Sequence, residues 1–478
     1  MALQRWLYEA LRAAILEHRL APGARLPASR DLARQHGLAR GTVFAVFAQL
    51  AAEGYLVGAV GRGSFVAPDL PDIKPQAAPA VAMDRKRRSG TVLSKRGQML
   101  ARTPFPVASH AEASRAFRPS QPDLAAFPFD LWTRIAARRS RLSKLALLGN
   151  GDALGYRPLR DAIAAHLQFA RGIACSGDQV AIIGSVQQAL DLCARLLLDP
   201  GDQAWLENPG YAGARLILEA AGAKVVPVPV DAGGMNVAAG RKLAPKARLA
   251  YVTAGRQAPL GMPLALDRRL ALLAWANAVD ATVIEDDYDS EYRFIGSPLA
   301  ALKSLDAGDR VIYAGTFTKF MFPSLRLAYM VLPDRLVEPF AAALSLTWRH
   351  PSVLPQVVLA EFIAEGHFGR HVRRMRLLYA ERAKALRRAV DRHLDGLLDL
   401  PAITAGLDAP AFLPKGSDDR QVARIALEAG VESRPLSSYA IGNKSPAGLV
   451  LGFAACGTKE IAAGAATLAR VVESLRPR

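Results

Sequence analysis

Apolar positions in the first 67 residues recur at helical spacing and then switch to the spacing of strands. Leu7, Leu11, Ala14 and Ile15 fall on one face of a helix, which the turn Ala21-Pro22-Gly23 ends. A second helix is expected from Ser29, whose hydroxyl can cap it, to Gly37. A third runs from Ala39-Arg40-Gly41-Thr42 to about Gly54. Tyr55-Leu56-Val57 and Ser64-Phe65-Val66 then read as two short strands around the glycine hairpin Gly61-Arg62-Gly63. Three helices followed by a β-hairpin make a winged helix-turn-helix, expected over residues 1–67.

Residues 68–112 read as a linker. Pro68, Pro71, Pro75 and Pro79 stand among alanines and are followed by Arg85-Lys86-Arg87-Arg88. Proline extends such a segment and charge keeps it solvated. The basic cluster suits either DNA phosphates or a merely solvated tether. From 113 to 478 strands and helices alternate. Strands are expected at 179–183, 203–207, 224–229, 249–253, 282–286 and 310–315, with helices at 186–198 and 211–221 and Trp275 on a longer helix. This alternation implies an α/β domain: a mostly parallel sheet with helices on both faces, and a smaller α+β part after about 400.

Charge sharpens the division. The net charge is +18 over 478 residues, and residues 1–110 hold 16 Lys/Arg against 7 Asp/Glu. Half of the excess thus sits in under a quarter of the chain, as suits a polyanion such as DNA. No run of eighteen apolar residues exists to cross a membrane. Arg5, Glu9, Arg12, Glu17 and Arg19 interrupt the start, where a secretory signal would be apolar, so a cytoplasmic protein is expected. Cys175, Cys193 and Cys456 form no C-x-x-C pair and read as buried free thiols, with no metal site.

A helix-turn-helix presents the N-terminal residues of its second helix to base edges. Here these are Arg40, Gly41 and Thr42, and Arg40 can donate two hydrogen bonds to one guanine. Arg30 is placed for a phosphate, and Arg62 at the wing tip for a minor groove. Each arginine alone reads as an ordinary surface charge; their order together points to DNA. Leu20 to Ala33 (LAPGARLPASRDLA), Arg40-Gly41-Thr42-Val43 and Gln49 to Leu56 (QLAAEGYL) closely resemble the GntR-type winged-helix domain.

The second constellation begins with Gly315-Thr316-Phe317-Thr318-Lys319 and Pro323-Ser324-Leu325-Arg326. A lysine at a strand end, amid hydroxyls and with an arginine seven residues on, suits an aldehyde that carries a phosphate: Lys319 to condense with it, Thr316 and Arg326 to hold the phosphate. Upstream lies Glu285-Asp286-Asp287-Tyr288-Asp289-Ser290-Glu291-Tyr292, where a carboxylate ending a strand can pair with a pyridinium nitrogen and a nearby tyrosine can hydrogen-bond a ring oxygen. Ser185 and Val186 open a helix whose free N–H groups attract phosphate, and Tyr211 can stack on the ring. Singly, each has an ordinary structural reading; in this order within one α/β domain they form a cofactor site.

The domain resembles fold-type I enzymes dependent on pyridoxal phosphate, and within them the MocR-type regulators, over almost all of residues 113–478. The resemblance implies that Lys319 is the cofactor lysine, Asp286 the partner of the ring nitrogen, Tyr288 the ligand of the ring hydroxyl, Tyr211 the stacking ring, and Arg326 with Thr316 the phosphate clamp. It also implies a homodimer. Ala364-Glu365-Gly366-His367-Phe368, with Arg370-His371 and Arg373 to Arg376, is typical of the family as well. Three departures stand out. Arg256 replaces a histidine beside the expected ring, Ser185 replaces a glycine in the phosphate turn, and Ala328 replaces a glycine after Arg326. Arg434 is the nearest candidate to hold a substrate carboxylate.

Three functions compete. One is a transcription regulator that responds to pyridoxal phosphate or to an amino acid or amine. The second is an active pyridoxal-phosphate-dependent aminotransferase with an incidental extra domain. The third is a DNA-binding protein whose large domain only dimerises. The fusion favours the first, and Lys319 with Asp286 disfavours the third.

Overall fold

Val43, Val46, Phe47 and Leu50 recur at helical spacing on helix α3 (Arg40–Ala52) and are buried against Leu7, Ile15, Leu32, Tyr55, Leu56 and Val66. The structure, a computed structural model, describes residues 2–59, 63–70, 93–102, 115–142, 149–296, 299–442 and 446–475. It divides into two units, Met1–Val92 and Leu93–Arg478.

The first unit has helices α1 (Ala2–Leu16) and α2 (Ser29–Gln35) ahead of α3, then strands β1 (Leu56–Ala59) and β2 (Gly63–Val66), paired antiparallel with Leu56 opposite Val66. Gly37, at φ 64°, makes the left-handed turn between α2 and α3 that a side chain would resist. One expectation is corrected. Ser29 does not cap α2: the cap position is Ala28 and no side chain bonds there, because Ser29 is already helical. Arg62 lies outside the described residues, as do Pro71, Pro75, Pro79 and Arg85 to Arg88.

The stretch expected to be a tether is not wholly extended. Lys95–Arg102 forms helix α4, and the Ser94 hydroxyl accepts a 3.0 Å bond from the Gly97 N–H in its first turn. A serine three residues ahead of a free N–H nucleates a turn that proline content and charge conceal.

The second unit is built on an eight-stranded sheet in the order β3-β10-β9-β8-β7-β4-β5-β6. Its strands are β3 (Val180–Ile183), β4 (Gln203–Asn208), β5 (Lys224–Asp231), β6 (Gly234–Met235), β7 (Leu249–Val252), β8 (Thr282–Asp287), β9 (Val311–Thr316) and β10 (Ala328–Val331). The run β9-β8-β7-β4-β5 is parallel, while β10 and β6 are antiparallel to their neighbours. Both faces are covered. Leu249 and Tyr251 pack with the helix Val186–Leu197, whereas Ala250 and Val252 pack with the helices Val237–Leu243 and Leu266–Val279. On that second face Trp205 stacks on Trp275 at 3.7 Å. Two-sided burial explains why these strands read as unbroken apolar runs.

Sequence order reverses between β4 and β7, and the C-terminal ends of β4, β7, β8 and β9 open at one edge. Such a switch point is where open α/β sheets bind ligands. The 27-residue helix His367–His393 leads to the C-terminal part, a small sheet β11-β13-β12 (Asp408–Phe412, Gly448–Gly452, Arg434–Pro435) covered by helices Asp419–Glu428 and Thr458–Ser474. Cys193 and Cys456 are buried free thiols, while Cys175 is only half-buried. Among the described residues no helix is long and apolar enough to cross a membrane.

Candidate functional site

In the first unit Arg40 and Gly41 open α3 and are exposed, with Thr42 half-buried behind them. Arg30 is exposed in the first turn of α2. Among the described residues neither Arg30 nor Arg40 has a side-chain hydrogen bond or ion pair, so both guanidiniums are available to phosphate or base. Arg34, by contrast, is held by Asp31 at 2.6 Å. A Cβ at Gly41 would meet nothing within 4 Å. The fold therefore does not require glycine there, and a smooth helix start suits close approach to a DNA backbone.

In the second unit the ends of four strands deliver the expected residues to one edge. Asp286, at the end of β8, is buried, and its Oδ2 accepts a 2.6 Å hydrogen bond from the Tyr251 hydroxyl on β7. Its other oxygen, Oδ1, is buried with no partner among the described residues. Burial pushes this carboxyl up to about 7, against the Tyr251 bond and the Lys319 charge, which favour ionisation. An acceptor orphaned in this way is costly unless a donor arrives. A protonated ring nitrogen is such a donor, and the site fits pyridoxal phosphate on that ground.

Lys319 follows β9, and its Nζ donates a 2.6 Å bond to the Ser120 carbonyl. Burial lowers its pKa below the usual lysine value and enriches the neutral, nucleophilic amine. Tyr211 precedes the helix Ala212–Ala220, and its ring lies 6.4 Å from that of Tyr251, the residue bonded to Asp286. A Cβ at Gly213 would lie 2.6 Å from both the Tyr211 ring and Gln187 Oε1, which puts the start of the helix Val186–Leu197 beside Tyr211.

That helix start has the features of an anion site. Ser185 is its cap, with Oγ accepting a 3.2 Å bond from the Gln188 N–H. The hydroxyl proton stays free, as do the N–H groups of Val186 and Gln187 among the described residues. Serine in place of the usual glycine thus adds a donor. Thr316 is buried at the end of β9, its Oγ1 accepting from the Thr318 N–H at 3.1 Å. Arg326 is exposed, in left-handed conformation at φ 52°, and its side chain has no partner among the described residues. The Phe317 N–H bonds to the Leu327 carbonyl at 3.1 Å and keeps this turn beside Thr316.

Arg256, which stands where a histidine is expected beside the ring, is held in place by its own partners. It is buried, donating from Nη1 to the Tyr288 hydroxyl and to Asp289 Oδ2, each at 3.0 Å, and from Nη2 to Asp408 Oδ1 at 3.1 Å and to the Asp408 carbonyl. Two carboxylates compensate its charge. Arg434 lies on β12, exposed, with Nη1 3.5 Å from the Tyr439 hydroxyl and no carboxylate partner among the described residues. Its charge is felt by both Lys319 and Tyr211. Ser120, Tyr251, Asp408 and Tyr439 were not marked by any spacing. Each joins the site from a distant stretch, and only the neighbours they touch reveal them.

Residues 3–66 match the family described as bacterial regulatory proteins of the gntR family, and residues 126–435 that of aminotransferase class I and II. The chain is 40% identical over 97% of its length to the probable rhizopine catabolism regulatory protein MocR of Rhizobium meliloti, covering 92% of that protein. It is 32% identical over 94% of its length to the pyridoxine biosynthesis transcriptional regulator PdxR of Corynebacterium glutamicum, covering 91% of it. Among solved structures, the kynurenine aminotransferase of Pyrococcus horikoshii superposes with a TM-score of 0.72 at 25% identity, spanning 83% of this chain and 98% of that one. With a winged helix of one family and a cofactor-binding aminotransferase fold of the other in a single chain, this protein belongs to the MocR-type transcription regulators, which bind DNA and pyridoxal phosphate.

Proposed function

We propose that this regulator is a cytoplasmic homodimer whose operator affinity is set by the occupancy of the site around Lys319, by pyridoxal phosphate alone or together with an amino acid. Lys319, Asp286, Tyr288 and Tyr211 would hold the ring, and Ser185, Val186, Thr316 and Arg326 the phosphate. Arg30, Arg40, Gly41 and Thr42 of each protomer, with Arg62, would hold DNA. When bound, pyridoxal phosphate supplies an aldehyde that condenses with amines.

The observation that carries the reading is Arg434. A guanidinium with no ion-paired carboxylate among the described residues, in electrostatic reach of both Lys319 and the Tyr211 ring, suits the carboxylate of an amino acid whose amine meets the cofactor. A ligand shifts a two-state regulator only by its difference in affinity for the two states, and a coupling of about 5- to 150-fold is usual. The relatives' names point to different controlled processes, rhizopine catabolism and pyridoxine biosynthesis.

The test is the affinity for DNA upstream of the neighbouring genes, measured with apo protein, with pyridoxal phosphate, and with a panel of amino acids and amines added. An affinity that stays constant throughout refutes sensing. The same Lys319 and Arg434 also favour a second reading, residual transamination. Steady formation of pyridoxamine phosphate from a common amino acid would establish it.

A further inference from the structure

Arg256 is hydrogen-bonded both to Tyr288, assigned above to the ring oxygen, and to Asp408. Its Nη1 donates to the Tyr288 hydroxyl at 3.0 Å. Its Nη2 holds Asp408, whose Oδ2 accepts from the Ser120 N–H at 2.9 Å and the Ser120 hydroxyl at 3.0 Å. The Ser120 carbonyl in turn receives the Lys319 amine at 2.6 Å. A chain of hydrogen bonds therefore runs from Tyr288 through Arg256, Asp408 and Ser120 to Lys319. It joins the segments that follow β7, β8 and β9 to β11 of the C-terminal part.

The surroundings are shaped to this side chain. At Gly406, which has φ +94°, a Cβ would fall 2.5 Å from the Arg256 Cζ and Nε. Any larger residue would expel the guanidinium. Burial alone would discourage the charge, but Tyr288, Asp289 and Asp408 outweigh it and keep Arg256 a cation.

We infer that Arg256 is a positioning residue for the cofactor: by donating to the Tyr288 oxygen it leaves that hydroxyl's own proton directed at the ring oxygen of bound pyridoxal phosphate. The inference rests on the assignment of Tyr288 to the ring oxygen made above. A hydroxyl has one proton and two acceptor lone pairs. With the Arg256 N–H on a lone pair, the Tyr288 proton is released from any duty to Arg256, and the nearby cation makes it a better donor. The charged groups around Tyr288 are Arg256, Asp289 and Asp408; those around Lys319 are Asp408, Asp289, Arg434 and Asp286. A proton that Tyr288 gives to the ring oxygen competes with the Lys319 proton for the same oxygen.

The readout is the pH midpoint of the visible absorption band of the cofactor-loaded full-length protein. Arg256→Gln should raise it by about one pH unit, the low end of the effect of a nearby charge, and Arg256→Lys, which keeps charge but loses the fork, by less. Arg256→Gln strands Asp289 and Asp408 and could misfold, so the deciding comparison uses Arg256→Lys alone and in a Tyr288→Phe background. If Arg256 acts through the Tyr288 hydroxyl, the shift caused by Arg256→Lys disappears in that background. An equal shift with and without the hydroxyl overturns the inference, as does an unmoved midpoint in Arg256→Lys and in any folded Arg256→Gln. A parent protein with no visible band would refute the cofactor site itself, and a Tyr288→Phe protein with the parent's midpoint would refute the assignment of Tyr288.

Discussion

The Lys319 amine donates to the backbone carbonyl of Ser120 at 2.6 Å, and Ser120 sits in left-handed conformation at φ 59°. That geometry holds the amine at the edge of the sheet. Ser120 is kept there by two bonds to Asp408. Non-glycine residues hold positive φ only where their surroundings over-determine them. The protein should purify yellow, with borohydride fixing the cofactor to Lys319, and Lys319→Ala should lose both properties. Because burial lowers the pKa of Lys319, the neutral fraction saturates early. The rate of cofactor capture should rise with pH and level off at a lower pH than it would for an ordinary, solvated lysine, whose pKa is about 10.4. A rate that follows pH as a solvated lysine's does would contradict the depressed amine.

Asp286 sets a second pH dependence. Burial pushes its folded pKa up to about 7, above the ordinary aspartate value of about 3.9, so it contributes most to apo stability below the unfolded value. That contribution is lost as pH rises to about 7. Asp286→Asn removes the loss and should stabilise the apo protein at pH 8 by roughly 1–3 kcal/mol, the usual cost of an unsatisfied buried group. The same change should weaken pyridoxal phosphate binding about 10- to 100-fold, since a hydrogen bond to a charged group contributes about 1.5–3 kcal/mol. In the parent, cofactor affinity should fall as pH drops below about 7, where the free carboxyl takes up its proton. Thermal unfolding of apo and loaded protein across this range checks both signs.

On the DNA side, Arg40→Ala should cost about 1–3 kcal/mol of specific binding and relax discrimination at one base pair. Arg30→Ala should weaken binding to all sequences alike and reduce the slope of log affinity against log salt by about 1.8, one phosphate contact from each protomer of the dimer. Gel-shift titrations at several salt concentrations separate the two. Parent-like behaviour of both variants would remove these arginines from the interface.

Gly406 provides a packing test. Gly406→Ala places a Cβ against Arg256 at a φ of +94°, and overpacking of this kind costs about 1–3 kcal/mol. The variant should lose stability and shift the cofactor band in the same direction as Arg256→Lys. Loss of stability with an unshifted band would show that the niche serves packing alone.

Sedimentation should give a dimer at micromolar concentration, with two winged helices available to two half-sites. A monomer under those conditions would contradict the proposed assembly.

Much of this architecture could be read from the chain alone, because it rests on local patterns. Leu7 and Ile15, Val43 and Leu50, and the apolar runs of β4, β7, β8 and β9 declare their elements by period and burial, which neighbouring residues decide. The order Tyr211, Asp286, Tyr288, Lys319, Arg326 was likewise legible, since each residue stands at an element's end, where a strand or helix delivers it to one edge. What the chain could not declare was who touches whom across the sheet edge. Arg256 read only as a cation standing in for a histidine beside the ring; its partners Asp289 and Asp408 lie 33 and 152 residues away, and only folding brings two carboxylates onto one guanidinium. Ser120, in a segment with no periodic signal, reaches Lys319 across 199 residues. Local spacing sets secondary structure and the direction a side chain faces, whereas the charge state of a buried group depends on the few atoms within hydrogen-bond reach, and those are chosen by tertiary packing.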